Sequence, residues 1–234
     1  MELDELLKVY SKLGFKKLEV FTHWVRSAFN YFIDPVFYIE MGKKYNMKFK
    51  SFHLPDIGDD TETSLENAVM AARFAKAIGV SIVIFKAASR ENYIKTATRF
   101  LDVISDLNLI TVITNHKGTA ISTINDYKQV IDGINDNRMK TLLEVGHFHS
   151  VGVSWEEGYD LLGESIALIH LKDMRGLQSV PFGTGEIDIK GLFHHMKARG
   201  YNGDYVIEME VNDRGNTIKY LEEALDYVKS IGVM

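Results

Sequence analysis

Short apolar segments alternate with longer helical stretches along the whole chain of 234 residues. The short segments are rich in β-branched and apolar residues, as strands are, and the stretches between them place apolar residues at helical spacing. Strands that alternate with helices are joined by right-handed crossovers and form a parallel sheet. Seven strands are predicted, at residues 17–22, 48–53, 81–85, 110–114, 141–145, 166–171 and 205–209.

Residues typical of helix starts support this division. Ser154 is followed by Glu157 at the spacing of a capping box, in which a hydroxyl and a carboxylate satisfy N–H groups of the first turn. Thr63 and Glu66 have the same spacing. Eight helical stretches are predicted between and around the strands, the last of them at residues 217–231.

The order of elements favours a closed barrel over an open sheet. An open dinucleotide-binding sheet has a glycine-rich turn after an early strand, and none of the predicted strands leads into G-x-G-x-x-G. A TIM-type (β/α) barrel with eight strands and eight helices takes about 250 residues, which fits the length of this chain. No linker-like or proline-rich segment divides the sequence, so a single barrel domain is predicted over residues 1–234.

The predicted barrel lacks its first strand, because the chain starts on a helix. The gap would lie between the strands at 17–22 and 205–209, and unpaired sheet edges are costly unless something covers them. Three explanations are open: a homo-oligomer contact, a rearranged N-terminal segment, or a start codon further upstream.

The composition argues against several classes of protein. The chain has no cysteine, which removes disulfides, thiolate nucleophiles and cysteine-ligated metals. Its 27 basic and 32 acidic residues include no long basic cluster, which argues against a nucleic-acid partner. No segment is apolar enough for a membrane span, and the N-terminus M-E-L-D-E is acidic where a signal peptide is basic. A cytoplasmic protein without a membrane partner is predicted.

Histidines concentrate where the predicted strands end. Six of the eight lie at the carboxyl end of a strand or within a few residues beyond it. In a barrel this rim carries the active site, which is built from strand ends and the loops that follow them. The six are His23, His53, His116, His147, His149 and His170.

Two glutamates stand inside otherwise apolar strands, Glu144 in T-L-L-E-V and Glu208 in Y-V-I-E-M. A buried charge without a partner is costly, so a cation or a hydrogen-bond network is expected beside each. His170 lies near the end of the strand between them, and the three side chains are expected to approach one another. Two carboxylates and an imidazole suit Mn²⁺, Mg²⁺, Co²⁺ or Zn²⁺, while a buried ion pair is the structural alternative.

Five segments, mostly of the C-terminal half, resemble in order the motifs of the xylose isomerase-like TIM barrel superfamily. That superfamily includes sugar and sugar-phosphate isomerases and epimerases, the isomerases and dehydratases of inositol catabolism, and endonuclease IV. The resemblance implies a TIM barrel with a divalent metal at its strand ends. The segments are T-N-H-K-G-T, L-E-V-G-H-F-H-S-V-G, I-A-L-I-H-L-K-D-M-R-G, V-P-F-G-T-G-E-I-D and G-Y-N-G-D-Y-V-I-E.

The resemblance also implies roles for particular residues. The family's His ligand and its last Glu ligand fall on His170 and Glu208, and its Asp ligand becomes Glu144. The remaining Glu ligand becomes Thr114, which cannot act as a carboxylate base at neutral pH. Either His116 supplies the missing ligand, or the site binds metal weakly, or it binds none. Endonuclease IV fits less well, because its zinc cluster needs that Glu and a further histidine that this chain lacks.

The leading hypothesis is a divergent metal-dependent isomerase or epimerase that acts on a small sugar, polyol or sugar phosphate through an enediolate. Glu208 would be the catalytic base as well as a metal ligand. A metal-assisted phosphoester hydrolase and a non-catalytic barrel with a degenerate site are the alternatives. The predicted metal ligands are Glu144, His170, Glu208 and His116, and the predicted substrate contacts are His53, His147, Lys172 and Arg175, although Lys172 could instead pair with Asp173.

Overall fold

The computed structural model describes residues 1–232, which form two compact units. The first unit comprises Met1–Thr114 and Gln129–Lys140, and the second comprises Asn115–Lys128 and the chain from Thr141 onward. Within the described residues, no helix is both long and apolar enough to cross a membrane.

Four parallel strands form the sheet of the first unit, and they pair in sequence order. Phe21 pairs with His53, His53 with Ile84, and Ile84 with Val112, so the carboxyl ends of the strands lie at one edge of the sheet. The strands are β1 Lys17–Phe21, β2 Lys48–His53, β3 Ile82–Ile84 and β4 Ile110–Thr114.

The second unit has three parallel strands and a short hairpin. Glu144 is in register with His170, and His170 is in register with Val206, which brings the polar ends of these strands together. The parallel strands are β5 Met139–Glu144, of which the residues from Thr141 onward belong to this unit, β6 Ile166–Leu171 and β9 Asp204–Ile207. The antiparallel hairpin pairs β7 Met174–Arg175 with β8 Gln178–Ser179.

The predicted number and order of the parallel strands are confirmed, and β2, β4 and β6 have the predicted bounds. Residues 1–16 hold a helix and no strand, as the sequence indicated. Strand β9 ends at Ile207, so Glu208 follows the strand where it was expected inside it. The hairpin was not predicted, because its strands have two residues each and carry no alternating pattern.

Nine α-helices are described where eight were predicted. The additional helix is α6, Val145–His149, whose five residues are too few to show a helical period. The helices are α1 Leu3–Leu13, α2 Val36–Tyr45, α3 Thr61–Ala77, α4 Arg90–Val103, α5 Ile124–Ile134, α6 Val145–His149, α7 Trp155–Leu162, α8 Ile189–Ala198 and α9 Thr217–Ser230, with 3₁₀ turns at Ser105–Leu107, Gly163–Ser165 and Arg214–Asn216.

One predicted capping box is confirmed and the other is wrong. The Ser154 hydroxyl accepts from Glu157 N at 3.2 Å, and the Glu157 carboxylate accepts from Ser154 N at 2.8 Å. Helix α3 instead begins at Thr61, because Asp60 caps it by accepting from Thr63 N at 3.2 Å. Thr63 is therefore inside the first turn, where a side-chain cap has no role.

In each unit a buried aromatic ring is linked to the backbone of a strand. In the first unit Phe29 stacks on Tyr38 with 4.0 Å between ring centroids, and Phe29 N donates to Phe21 O at 2.7 Å. In the second unit Tyr127 is fully buried, and its hydroxyl donates to Leu142 O at 3.1 Å. In each unit such a contact fixes the backbone near the polar strand ends.

Replacing Ser154 with Ala tests the confirmed cap. The change leaves N–H groups of the first turn of α7 without an acceptor, and we expect the free energy of unfolding to fall by about 1 kcal/mol. Urea denaturation measures it. Ser154→Asp is the matched control, because Asp also caps helices, and it should retain most of the stability. Equal stability of the Ala variant and the wild type would contradict the assignment.

Candidate active site

Five polar side chains meet at the ends of the three parallel strands of the second unit. Register places Glu144 beside His170, and Glu208 N donates to Leu171 O at 2.9 Å, which extends the pairing past the end of β9. Lys172 lies two residues beyond His170 along the chain. We call the set of Glu144, His170, Lys172, Glu208 and Glu210 the acid–lysine cluster.

The Lys172 ammonium lies among the three carboxylates of this cluster. Its Nζ atom is 2.6 Å from Glu210 Oε2, 2.8 Å from Glu208 Oε2 and 3.8 Å from Glu144 Oε1, and only 2% of its side chain is exposed. Burial disfavours the charged form, but the carboxylates, Glu208 foremost, outweigh burial and raise the pKa of Lys172 above its ordinary value. The lysine is therefore a permanent cation of this site.

Glu208 is held between a histidine and this cation. Its Oε1 atom lies 3.0 Å from His170 Nδ1 while Oε2 contacts Lys172, and 21% of its side chain is exposed. Burial acts to raise its pKa, but His170 and Lys172 overcome that effect and hold the pKa of Glu208 well below its usual range. Glu208 is thus an ionised carboxylate that solvent reaches.

Glu144 has a different environment from Glu208. It ends β5 and caps α6, because its carboxylate accepts from Gly146 N at 3.2 Å and from His147 N. Burial raises the pKa of Glu144 to about 7, against the attraction of Lys172. Two neighbouring carboxylates whose pKa values are displaced in opposite directions are a pattern found in proton-transfer sites.

A glycine allows the lysine side chain to pass α6. A Cβ atom at Gly146 would lie 2.9 Å from Lys172 Cβ and 3.0 Å from its Cδ, closer than carbon atoms approach without displacement. Any larger residue would push Lys172 away from the carboxylates. Gly146 therefore supports the acid–lysine cluster by its small size.

Two predicted site histidines stack on each other beside this cluster. The rings of His116 and His147 lie 3.7 Å apart between centroids, and His116 Nδ1 lies 3.0 Å from Lys117 O. Burial, with further contributions from Lys172 and His116, lowers the pKa of His147 to about 3. His147 is therefore a neutral imidazole at neutral pH, able to accept a hydrogen bond or a metal.

The residues after Lys172 organise the neighbouring loop. Asp173 Oδ2 accepts from Gly183 N at 2.8 Å and from Gly185 N at 2.9 Å, and Arg175 donates to Thr184 O. Asp173 thus holds the loop that carries P-F-G-T-G, while the Lys172 ammonium contacts the glutamates. The sequence left open a pairing of Lys172 with Asp173. In the structure Lys172 contacts the glutamates, and Asp173 contacts the loop.

His53 belongs to the first unit and has a carboxylate partner there. Its Nε2 atom lies 2.8 Å from Glu19 Oε1, and the Ser51 hydroxyl donates to Glu19 Oε2 at 2.7 Å. The His53 ring stacks on Phe21 at 4.3 Å. Sequence reasoning missed Glu19, although a glutamate inside the apolar strand K-L-E-V-F is the same signal that selected Glu144.

The predicted residues are therefore distributed over several places. The structure brings Glu144, His170 and Glu208 together and adds Lys172, while Thr114 ends β4 as a buried residue. Of the other predicted residues, His116 and His147 stack on each other, His53 contacts Glu19 in the first unit, and Arg175 lies on the hairpin.

Residues 7–231 match the family described as xylose isomerase-like TIM barrel, so the chain belongs to that family. It is 24% identical over 233 residues to an inosose dehydratase of Mesomycoplasma hyopneumoniae, covering 81% of this chain and 77% of that protein. It is 36% identical over 67 residues to an L-ribulose-5-phosphate 3-epimerase of Salmonella paratyphi B, covering 28% of this chain and 24% of that protein.

A solved structure shows the same fold. The crystal structure of the IOLI protein with a bound zinc atom superposes with a TM-score of 0.80 at 15% identity, covering 99% of this chain and 93% of that one. The expected TIM-type barrel fold is thereby confirmed, with seven parallel strands among residues 1–232.

The raised pKa of Glu144 predicts a pH dependence of stability in chelator-treated protein. A proton on Glu144 stabilises the fold fully below pH 4.5, and this contribution is lost as the pH rises through about 7. We expect the free energy of unfolding of the wild type, relative to Glu144→Gln, to fall by about 3 kcal/mol over that range.

Urea denaturation at a series of pH values measures this difference. Glu222→Gln, an exposed change on α9, is the control and should show no such trend. A difference between wild type and Glu144→Gln that is independent of pH would show that Glu144 titrates as an ordinary glutamate.

Proposed function

We propose that this protein is a metal-dependent isomerase or epimerase that acts on a small sugar, polyol or sugar phosphate. The reaction would be a proton transfer next to a carbonyl group, through an enediolate. Two relatives support a small polyhydroxylated carbonyl substrate, since one is an inosose dehydratase and the other an L-ribulose-5-phosphate 3-epimerase. Their likeness supports the substrate class, and the chemistry rests on this chain's own residues.

One observation carries the proposal: Glu208 is ionised, oriented and open to solvent. Its two oxygens are held by His170 at 3.0 Å and by Lys172 at 2.8 Å, which fixes the carboxylate plane without covering it. A general base must be deprotonated at working pH and positioned before the substrate arrives. Glu208 meets both conditions, and we assign it the role of base.

The acid–lysine cluster contains the donor types that a divalent cation takes in proteins, carboxylate oxygens and an imidazole. Each oxygen of Glu208 makes one contact with a protein nitrogen and keeps a second lone pair. In Glu144, Oε1 contacts both Gly146 N and Lys172 Nζ, while Oε2 accepts from His147 N alone. We propose Glu144, His170, Glu208 and His116 as the ligands. His116 would take the place of the family's remaining Glu ligand, at whose position this chain has Thr114. A bound Mn²⁺, Mg²⁺, Co²⁺ or Zn²⁺ ion would polarise the substrate carbonyl.

The remaining residues would hold the substrate and the base. His170 and Lys172 keep Glu208 ionised, and proton removal by the carboxylate would leave a substrate oxyanion near the Lys172 ammonium, which stabilises negative charge. His147 is neutral, so its ring can donate a hydrogen bond to a substrate hydroxyl or accept one from it. We propose His53, His147, Lys172 and Arg175 as substrate contacts.

Three broader predictions accompany this function. We propose a single domain over residues 1–234, of which 233 and 234 lie outside the described residues. We also propose a cytoplasmic enzyme that forms a homo-oligomer and binds no nucleic acid. None of these affects the assignment of Glu208.

Replacing Glu208 with Gln tests the proposed base. Gln keeps the shape and a hydrogen bond but cannot accept a proton, so we expect turnover of the best substrate in a panel of sugars, polyols and sugar phosphates to fall at least about a thousandfold. Glu222→Gln is the control and should retain full activity. Unchanged turnover in Glu208→Gln would overturn the assignment, and no turnover by the wild type across the panel would favour the non-catalytic alternative.

A further inference from the structure

Residues 199–203 connect helix α8 to strand β9, the strand that precedes Glu208. The connection contains Asn202 and Gly203, and this is the one place in the chain where glycine follows asparagine. We call these two residues the Asn–Gly pair. The function proposed above gives the pair no role.

The groups of the Asn–Gly pair that can react with each other are accessible. Both residues are exposed and lie outside helices and strands. Among residues 1–232, neither the Asn202 side chain nor the Gly203 N–H makes a hydrogen bond. An asparagine side chain can turn its Cγ atom onto the nitrogen of the next residue, and glycine has no Cβ atom to obstruct that approach.

We propose that the Asn–Gly pair is a site of spontaneous deamidation in the folded protein. Gly203 N loses its proton and attacks Asn202 Cγ, and the side-chain amide leaves as ammonia with that proton, which gives a cyclic succinimide. Water then opens the ring at one of its two carbonyl carbons. Attack at Cγ leaves aspartate in a normal backbone. Attack at the backbone carbonyl carbon leaves isoaspartate, in which the chain runs through Cβ and Cγ and is one methylene longer.

The connection holds the chain too tightly for the longer backbone of isoaspartate. Tyr201 N donates to Met196 O at 3.0 Å, which fixes one end on α8, and Asp204 is in register with Leu168 of β6, which fixes the other. The Tyr201 hydroxyl spans the Asn–Gly pair by donating to Asp204 O at 2.9 Å. An added methylene between these anchors should break the Tyr201 bridge and loosen the start of β9.

The same tight packing explains why a glycine stands at position 203. A Cβ atom there would lie 2.7 Å from Tyr201 Cε2, closer than carbon atoms approach without displacement. The tyrosine bridge therefore requires the glycine, and the glycine makes the asparagine before it reactive. Packing at the start of β9 and chemical lability are thus linked in one short segment.

A second pair in the chain serves as an internal comparison. Aspartate before glycine can close the same succinimide ring, with water as the leaving group, and Asp132 precedes Gly133. These two residues lie inside helix α5, where backbone N–H groups donate to carbonyl groups one turn earlier. The Gly133 nitrogen is held away from the attack, so we expect this pair to stay intact.

Ageing of the purified wild-type protein at mildly alkaline pH, which favours loss of the Gly203 proton, tests the proposal. Peptide mapping by mass spectrometry follows deamidation at each asparagine, and methylation by an isoaspartyl methyltransferase detects isoaspartate. We expect Asn202 to be modified several times faster than any other asparagine, and Asp132 to remain aspartate. An Asn202 that stays intact, or that reacts no faster than the other asparagines, would overturn the proposal.

Two variants at the same position separate the modification from its effect on β9. Asn202→Gln keeps the amide but closes the ring far more slowly, so ageing should leave it unmodified. Asn202→Asp, measured before ageing, adds the carboxylate without the extra methylene and should keep wild-type stability.

Urea denaturation of the aged proteins measures the effect. The aged wild type should contain a fraction that unfolds at lower urea concentration than fresh protein, and aged Asn202→Gln should contain none. Isoaspartate-containing protein that is as stable as fresh protein would contradict the effect assigned to β9. These readouts need no turnover, so the modification can be tested whatever the result for Glu208→Gln.

Discussion

The contact between the Lys172 ammonium and three carboxylates is the interaction on which the rest of the candidate active site depends. A buried lysine without partners would be costly, and so would the glutamates that surround it without a cation. Together with His170 the pairing keeps Glu208 ionised, and it explains why a glycine stands at position 146, where any side chain would displace the lysine. The lysine charge also offsets the repulsion among the acidic groups that lie at these adjacent strand ends.

The two strand-end glutamates show how one cluster produces two kinds of carboxylate. Glu208 is partly exposed and contacts both His170 and Lys172, so its charged form is favoured. Glu144 is buried and caps a short helix, and Lys172 is further from it, so burial dominates. Such a difference allows one group to accept a proton while its neighbour retains one. The chemistry follows from position and burial, since both side chains are glutamates.

Much of the fold could be predicted from the sequence, because the strands alternate regularly with helices. Strand β6 has its predicted bounds, with His170 inside it, whereas β9 ends at Ile207 and only the N–H of Glu208 continues the pairing, to Leu171 O. Helix α6 could not be predicted, since its start depends on the Glu144 side chain and not on a period. Asp60 was missed as a cap because Thr63 offered a pattern that competes with it.

The residues of the candidate site could be predicted from the sequence better than the contacts that they make. Strand-end positions identified His170, Glu144 and Glu208, because adjacent parallel strands bring such residues together. Spacing along the chain does not show where a long side chain points, so Lys172 was expected to contact substrate and is found among glutamates. Glu19 was overlooked although it stands inside an apolar strand, as Glu144 does, and its partners Ser51 and His53 lie on the neighbouring strand β2.

The central claim is that His170 and Lys172 together keep Glu208 ionised, and a carboxyl NMR titration tests the part of Lys172 most directly. Chelator-treated protein labelled with ¹³C at the glutamate carboxyl carbons would be titrated, with Glu208→Gln used to assign the resonance. We predict that Glu208 remains ionised below pH 4.5 in the wild type and that its pKa rises in Lys172→Met. A Glu208 resonance that titrates near pH 4.5 in both proteins would contradict the account.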